Sequence, residues 1–135
     1  MANALFDAGR EGFLGGDIDW DANNIKLILV DHADDTPNVS TDDFLDDIAA
    51  GARVATSGNF ASKTKTAGVA DAADVTLSTV VGDPAESIVI YADSGVEGTS
   101  RLIAYIDVAT GLPVTPGGGN IVIVWDSGAN KIFKL

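Results

Sequence analysis

Alternate aspartates at positions 17, 19 and 21 form the most prominent candidate for a chemical site in this sequence. Carboxylates at alternate loop positions can converge on Ca²⁺, but such a loop also needs glycine at its sixth position and glutamate at its twelfth. Counted from Asp17, those positions hold Ala22 and Ile28, and the register that starts two residues later fails in the same way. We therefore assign no metal, and predict that the aspartates face solvent while Ile18 and Trp20 point inward.

The single histidine, His32, is the second candidate because acidic residues surround it: Asp31, Asp34 and Asp35. This grouping is compatible with a metal site or an acid–base pair. A second imidazole is missing from the chain, however, and no nucleophile motif of the G-x-S-x-G type occurs in it. We predict a solvated loop histidine.

Paired carboxylates are the third candidate, since 20 acidic residues make some close pairs inevitable. A glycosidase needs two carboxyl groups at one cleft, one of them with a raised pKa. Only three acidic residues are glutamates, and most aspartates fall in turn-forming stretches, where they bond to nearby backbone. The glycine run 117–119 lacks the Lys-Ser/Thr pair and the helix of a phosphate loop. We predict no enzymatic activity and no cofactor.

The overall composition limits the possible partners. The 135 residues include 8 basic and 20 acidic ones, for a formal net charge of −12, while 46% of residues are apolar and none is cysteine. The charge argues against nucleic-acid binding, and the apolar content argues against a disordered acidic tail. The N-terminus lacks the pattern of a secretory signal, and the apolar runs are far shorter than the roughly 20 residues of a membrane span. We expect neither nucleic acid nor membrane as a partner.

Two helices are predicted in the N-terminal part of the chain. Apolar spacing over residues 2–14 favours a helix that ends at Gly15-Gly16, although an arm that orders only on a partner fits as well. Ser40 or Thr41 can cap a short helix over about 41–49, which ends before Gly51. We divide the chain into an N-terminal arm or helix, 1–24, and a single β domain, 25–135.

The rest of the chain has the alternation of strands. Residues 25–31 are apolar on both faces, which is typical of a strand buried between two layers. Turn clusters separate six further strands, predicted over 53–60, 75–80, 86–93, 101–108, 121–126 and 131–135. The link 128–130 is short enough for a hairpin between the last two strands, and 61–73 reads as a strand with a loop or as a mobile flap. The pattern predicts a mainly β protein with an antiparallel β-sandwich, jelly-roll-like or barrel core.

Several strands are apolar on both faces, so something must cover the second face. The 41–49 helix, the N-terminal segment or another copy of the chain could do so, and an oligomer meets this need. Aromatic residues in the strands are compatible with either the core or an interface. Our interface candidates are Leu5, Phe6, Phe13, Leu14, Trp20, Tyr91, Tyr105 and Trp125.

The chain resembles a group of small structural proteins encoded in the head modules of tailed bacteriophages. The resemblance covers nearly the whole chain and is carried by the segments 4–10 (ALFDAGR), 16–21 (GDIDWD), 25–31 (IKLILVD), 44–55 (FLDDIAAGARVA), 102–114 (LIAYIDVATGLPV) and 123–133 (IVWDSGANKIF). It implies a capsid decoration, or cement, protein on the outer surface of the virion. Its partner would be the major capsid protein, which it would clamp as a homotrimer at three-fold and quasi-three-fold positions.

Three other functions remain open at this point. A carbohydrate- or receptor-binding module on the virion would show a solvent-exposed aromatic platform, for instance Trp20 or Tyr91. A small enzyme would show two carboxylates facing one cleft. A neck or tail component is the third alternative.

Overall fold

A five-stranded antiparallel sheet forms the centre of the protein, and two small antiparallel sheets lie beside it. The computed structural model describes residues 3–135. The elements are β1 Ala4–Leu5, α1 Asp7–Gly15, β2 Asn24–Val30, β3 Arg53–Thr56, β4 Val69–Ala70, β5 Val75–Leu77, β6 Ser87–Asp93, β7 Leu102–Ile106, β8 Ile121–Ile123 and β9 Phe133–Lys134. The strand order of the central sheet is β1-β7-β6-β2-β3, and the small sheets are β4-β9 and β5-β8. The fold is mainly β and sandwich-like, with no closed barrel in the described part of the chain.

The strand β2 confirms the prediction of a strand buried between two layers. It pairs with β6 without a break, from Asn24 opposite Asp93 to Val30 opposite Ser87. Ile25 and the four residues 27–30 are buried, and Lys26 is half-buried. Side chains alternate between the two faces of a strand, so β2 contributes to two separate apolar layers.

The protein's own segments cover both faces of the central sheet. On one face, Leu27, Ile90 and Ile103 belong to a cluster with Trp20 and residues from 60 to 85. On the other face lies a second cluster, to which the chain outside the central strands contributes four buried residues: Phe6, Leu45, Ile48 and Ala52. The chain itself therefore supplies the cover that the two-faced strands require.

The N-terminal segment is packed on the sheet. β1 pairs with β7, and α1 lies against β7. Buried Gly9 permits this close approach, because a Cβ there would be 2.8 Å from the carbonyl oxygen of Ile103. As predicted, the helix ends at the glycine pair, where Gly16 has a φ of +80°. The first predicted helical residues form β1 instead, and Met1 and Ala2 lie outside the described residues.

The helix predicted over 41–49 is wrong for most of its length, since only Leu45–Asp47 form a single 3-10 turn. The reason is a tertiary pairing. The amide of Leu45 donates to the carbonyl of Ser100, and the amide of Leu102 donates to the carbonyl of Asp43, so this backbone runs extended beside residues 100–102. The predicted cap residues, Ser40 and Thr41, do not cap this turn. The Asp47 carboxylate instead accepts the amides of Asp43 and Phe44 at the start of the turn.

The predicted hairpin at 128–130 is also wrong, because the last two strands belong to different sheets. β8 pairs with β5, with Val75 opposite Ile123, and β9 pairs with β4, with Val69 opposite Lys134. Residues 61–73 hold β4 and a 3-10 turn, Thr66–Gly68, so this segment is a short strand with a loop. Both late strands therefore find partners in the 69–77 stretch, and not in each other.

The remaining predicted strands are present in shorter form, as β3, β5, β6 and β7. Further 3-10 turns are formed by Ala50–Ala52 and Glu97–Thr99. None of the helices in residues 3–135 combines the length and the apolar character that crossing a bilayer requires.

Candidate functional site

The alternate aspartates at 17, 19 and 21 face solvent, and Ile18 and Trp20 between them are buried, as predicted. Each aspartate has its own partner. Asp19 accepts the amides of residues 21 and 22, which lowers the pKa of its carboxyl group. Asp21 pairs with Lys65 at 2.9 Å, while the nearest guanidinium nitrogen of Arg101 is 3.5 Å from the carboxylate of Asp17. These side chains close a turn and form ion pairs, so they do not form a cation-binding loop.

His32 belongs to a polar cluster that the sequence did not reveal. Its Nε2 lies 2.9 Å from Oγ of Ser87 and 3.4 Å from the hydroxyl of Tyr105, and its ring stacks on the tyrosine at 6.1 Å. The Tyr105 hydroxyl donates to Asp107 at 3.1 Å. A histidine bonded to a serine and linked to a carboxylate has the composition of a nucleophilic site. The half-buried His32 is thus not simply solvated, which corrects the prediction.

The burial of this cluster indicates a structural role. Ser87 is fully buried in the central strand β6, so a substrate has no access to its hydroxyl. Tyr105 is 1% exposed, and burial followed by the bond to Asp107 raises its pKa to about 12. Hydrogen bonds within the protein link the four side chains, as is usual for buried polar groups. No residue motif could have identified the cluster, because its members come from three distant stretches of the chain.

A second group of carboxylates forms where Asp31, Asp34 and Asp83 meet, with one oxygen of each within 4.8 Å of the others. Asp34 and Asp83 are exposed, and the carboxylate of buried Asp31 accepts the amide of Ala33. The sequence drew attention to the first two of these aspartates, and only the fold adds the third. Exposed carboxylates often meet in acidic proteins, so we assign no metal to this group.

The eight interface candidates occupy three environments. Four are core side chains, three are half-buried and one is exposed. The core residues are Phe6, Trp20, Tyr91 and Tyr105; the half-buried ones are Leu5, Phe13 and Trp125; the exposed one is Leu14, at 89%. The core group is already packed within its own chain, which leaves the other four accessible to a partner.

Five aromatic rings form a continuous row beside the central sheet. The row runs from Phe13 through Phe133, Trp20 and Phe60 to Trp125, with centroid separations of 5.9, 5.4, 6.1 and 5.5 Å. Both indole nitrogens donate to backbone carbonyls of residues 71 and 73. Edge-to-face and tilted contacts of this kind add to the stability that burial provides. The row fixes the C-terminal segment against the sheet, and its end at Trp125 reaches an open groove.

The groove has a volume of about 1000 Å³. The buried side chains of Ile88 and Ala104 lie at its base on the central sheet. One side is formed by β1 and residues 106–112, and the other by residues 121–126 and 131–134. We call this feature the apolar groove. Its lining is mainly aliphatic and aromatic, and it continues directly into the sheet's apolar cluster.

The strand β8 forms an apolar and partly exposed side of the apolar groove. Ile121 and Ile123 are half-buried, whereas Val122 and Val124 are 54% and 70% exposed. A strand with one solvated face normally carries polar residues on that face. β8 also has only one strand partner within residues 3–135, so its second edge is free. Exposed valines beside a free strand edge are typical of a surface that binds another chain.

The charges of the apolar groove differ from those of the whole protein. Its lining contains three cations, Arg10, Lys131 and Lys134, and one carboxylate, Asp126. The whole chain has 8 basic and 20 acidic residues. Arg10 pairs with Asp7 at 3.0 Å, whereas neither lysine has an ion-pair partner in the described part of the chain. The groove is thus a locally basic, apolar site on an acidic protein.

The arrangement favours binding over chemistry. The serine of the His32 cluster is closed to a substrate, and two of the three carboxylates at Asp31, Asp34 and Asp83 lie at the exposed surface. The apolar groove, by contrast, offers aliphatic surface, a strand edge and cations to a ligand. Three of the interface candidates predicted from the sequence, Leu5, Tyr105 and Trp125, lie in its lining. The sequence analysis missed Val122 and Val124, because residue type alone does not determine exposure. A comparison with known protein families finds none that matches this chain, and no curated protein matches it.

Proposed function

We propose that this protein is an outer capsid decoration protein that binds the assembled shell of a tailed bacteriophage and stabilises it. The observation that carries the proposal is the apolar groove, with exposed Val122 and Val124 beside a free strand edge on an otherwise acidic domain. Together with the resemblance to phage head proteins, it favours a structural, non-enzymatic role on the virion. The major capsid protein is the partner.

Mass action explains how such a protein stabilises a shell. A decoration protein that binds the assembled lattice and not the free subunits shifts the equilibrium toward the lattice. This role requires a rigid domain and an adhesive surface but no reactive group. The central sheet, with apolar layers on both faces, supplies the rigidity. The acidic exterior keeps the bound protein hydrated and faces the solvent.

The carbohydrate-binding alternative lacks its expected mark. Trp20 and Tyr91 are 4% and 2% exposed, so neither forms an aromatic platform. The enzymatic alternative requires two carboxylates at one cleft, and the lining of the apolar groove includes a single one, Asp126. The decoration function therefore has the better support.

A shell-binding experiment tests the proposal. Purified protein is mixed with expanded, undecorated shells of the phage that encodes it, sedimented and imaged by electron cryomicroscopy. We expect added density at the three-fold and quasi-three-fold positions. The double variant Val122→Glu/Val124→Glu should lose binding. The matched control Val81→Glu/Val96→Glu also replaces two exposed valines, 69% and 62% exposed, but outside the groove, and should bind normally. Absence of density with the unmodified protein would refute the decoration function.

The proposed trimer has its own test. Three copies at −12 each carry −36, and salt screens repulsion between exposed charges. We therefore expect the trimer to become more stable as salt is added, as measured by a sedimentation series. Dissociation with rising salt would contradict this expectation.

A further inference from the structure

We infer that the apolar groove receives an extended segment of the partner protein, which adds a strand to the free edge of β8 and carries carboxylates at its ends. The inference deepens the proposed function and rests on it for the source of the segment, the shell protein. The strand edge, the lining and the charges support it separately.

The strand edge determines the backbone conformation of the segment. β8 has three residues and pairs only with β5, so its other edge leaves backbone donors and acceptors for a further strand. Peptides that bind to sheet edges gain affinity from these main-chain hydrogen bonds and specificity from pockets for alternate side chains. β1, at the opposite side of the groove, is less accessible because Arg10 donates to the carbonyl of Leu5 at 3.0 Å.

The lining determines which side chains the segment carries. The groove's base, Ile88 and Ala104, is apolar and buried. β8 contributes Ile121, Val122 and Ile123 to the lining, and Val124 follows the strand directly. An extended segment directs every second side chain to the same face. Aliphatic residues at alternate positions would therefore contact the base, while the positions between them face the rim.

The charges determine the ends of the segment. Lys131 and Lys134 lie at the groove without carboxylate partners in residues 3–135, and only one acidic side chain, Asp126, accompanies them. Complementary charge favours an acidic segment and disfavours a basic one. A whole second copy of this chain is a poorer occupant, because each copy brings a net charge of −12 to the encounter.

Synthetic peptides test the inference without the shell. The probe is acetyl-Glu-Val-Thr-Val-Thr-Val-Asp-amide, and the control replaces both acidic residues by lysine. Amide chemical shifts of the ¹⁵N-labelled protein are recorded during titration. We expect shifts at Val122, Val124 and the Trp125 indole, and binding of the acidic peptide about fivefold or more tighter than that of the basic one.

Charge reversal in the groove provides the decisive variant. Lys131→Glu/Lys134→Glu should reverse the preference between the two peptides. The control Lys65→Glu changes an exposed lysine outside the groove and should leave the preference unchanged. Equal binding of both peptides, no shifts at β8, or shifts confined to the surroundings of Lys65 would overturn the inference. Concentration-dependent shifts in the groove without peptide would also overturn it, because they identify a second copy as the occupant.

The peptide and shell experiments separate the two proposals. Shells that bind both the unmodified protein and the Val122→Glu/Val124→Glu variant, with no peptide bound in the groove, overturn the groove inference and support the decoration function. Peptide binding at β8 without any shell binding supports strand addition and overturns the decoration function. Loss of both peptide and shell binding in the groove variant supports both proposals.

Discussion

Replacing Gly9 by alanine tests the close packing of α1 on the central sheet. Helix propensity alone predicts a gain of up to about 1 kcal/mol for glycine to alanine in a helix interior. At Gly9, however, the new Cβ would lie 2.8 to 2.9 Å from three backbone atoms of Leu102 and Ile103. Backbone atoms of a buried strand cannot move aside as a flexible side-chain end can. Overpacking of this kind costs about 1–3 kcal/mol, and more where little can relax.

We therefore expect Gly9→Ala to lower the free energy of unfolding by about 1–2 kcal/mol after the propensity gain is subtracted. For a chain of this size, that corresponds to a fall of roughly 4–8 °C in Tm. Gly15→Ala is the matched control in the same helix, because its Cβ would meet only the Asp17 carboxylate at 3.5 Å. The control should leave stability unchanged or raise it by up to about 1 kcal/mol.

The measurement is urea denaturation followed by circular dichroism, with the slope m compared among the three proteins. A Gly9→Ala protein as stable as the unmodified one, or more stable, would refute the close approach of α1 to β7. Equal losses in both variants would mean that the helix itself, and not its packing, determines the result.

Three further predictions concern polar contacts. Arg53→Met should lower the free energy of unfolding, measured by urea denaturation, by about 2–3 kcal/mol. The reason is that this largely buried guanidinium donates to the carbonyls of Leu45 and Ile48. A loss below roughly 0.5 kcal/mol would contradict this role. The hydrogen bond from Lys26 is the main cause of the lowered pKa of Asp93, and the bond from the Gly95 amide is the second. Asp93→Asn should therefore lower the free energy of unfolding at neutral pH by about 1 kcal/mol. That difference should vanish as pH falls below 3.8 through the folded pKa of Asp93; a difference that persists in acid would exclude the ion pair as its source. Burial raises the pKa of Tyr91 and Tyr105 to about 12, so their folded forms keep protons that the unfolded chain loses above pH 10. The free energy of unfolding should therefore fall as the pH rises from 10 to 12. Tyr105→Phe should make this fall less steep by about 1.4 kcal/mol per pH unit, and an unchanged steepness would contradict the raised pKa of Tyr105.

Local pattern in the sequence predicted the strands and several chain reversals correctly. Alternation and two-sided apolar character identified β2 and β6, because the period of a strand determines which side chains share a face. The glycine pair after residue 14 predicted the end of α1, since a left-handed residue without a Cβ stops a helix. The failure of the calcium-loop register at Asp17 correctly predicted exposed aspartates around buried Ile18 and Trp20.

Pairing between distant segments was beyond the reach of local pattern. The segment 41–49 has the apolar spacing of a helix, yet the backbone of residues 43–45 bonds to residues 100–102, and this pairing outweighs a short and marginal helix. A three-residue link favours a hairpin, yet β8 and β9 find their partners near residues 69–77. In both cases, the competing hydrogen bonds come from segments far away in the chain, and their positions depend on how the whole core packs.

The properties of the candidate site also divide into those that the sequence predicts and those that depend on tertiary packing. The sequence by itself determined that the protein is acidic, mainly β and rich in apolar strands, because composition and alternation are local properties. Only the tertiary structure decided that Trp20 and Tyr91 are buried while Val122 and Val124 are exposed, since burial depends on what packs above each face. It also placed Lys131 and Lys134 beside the apolar groove. A residue's type limits its possible environments, and the packing of distant segments selects one of them.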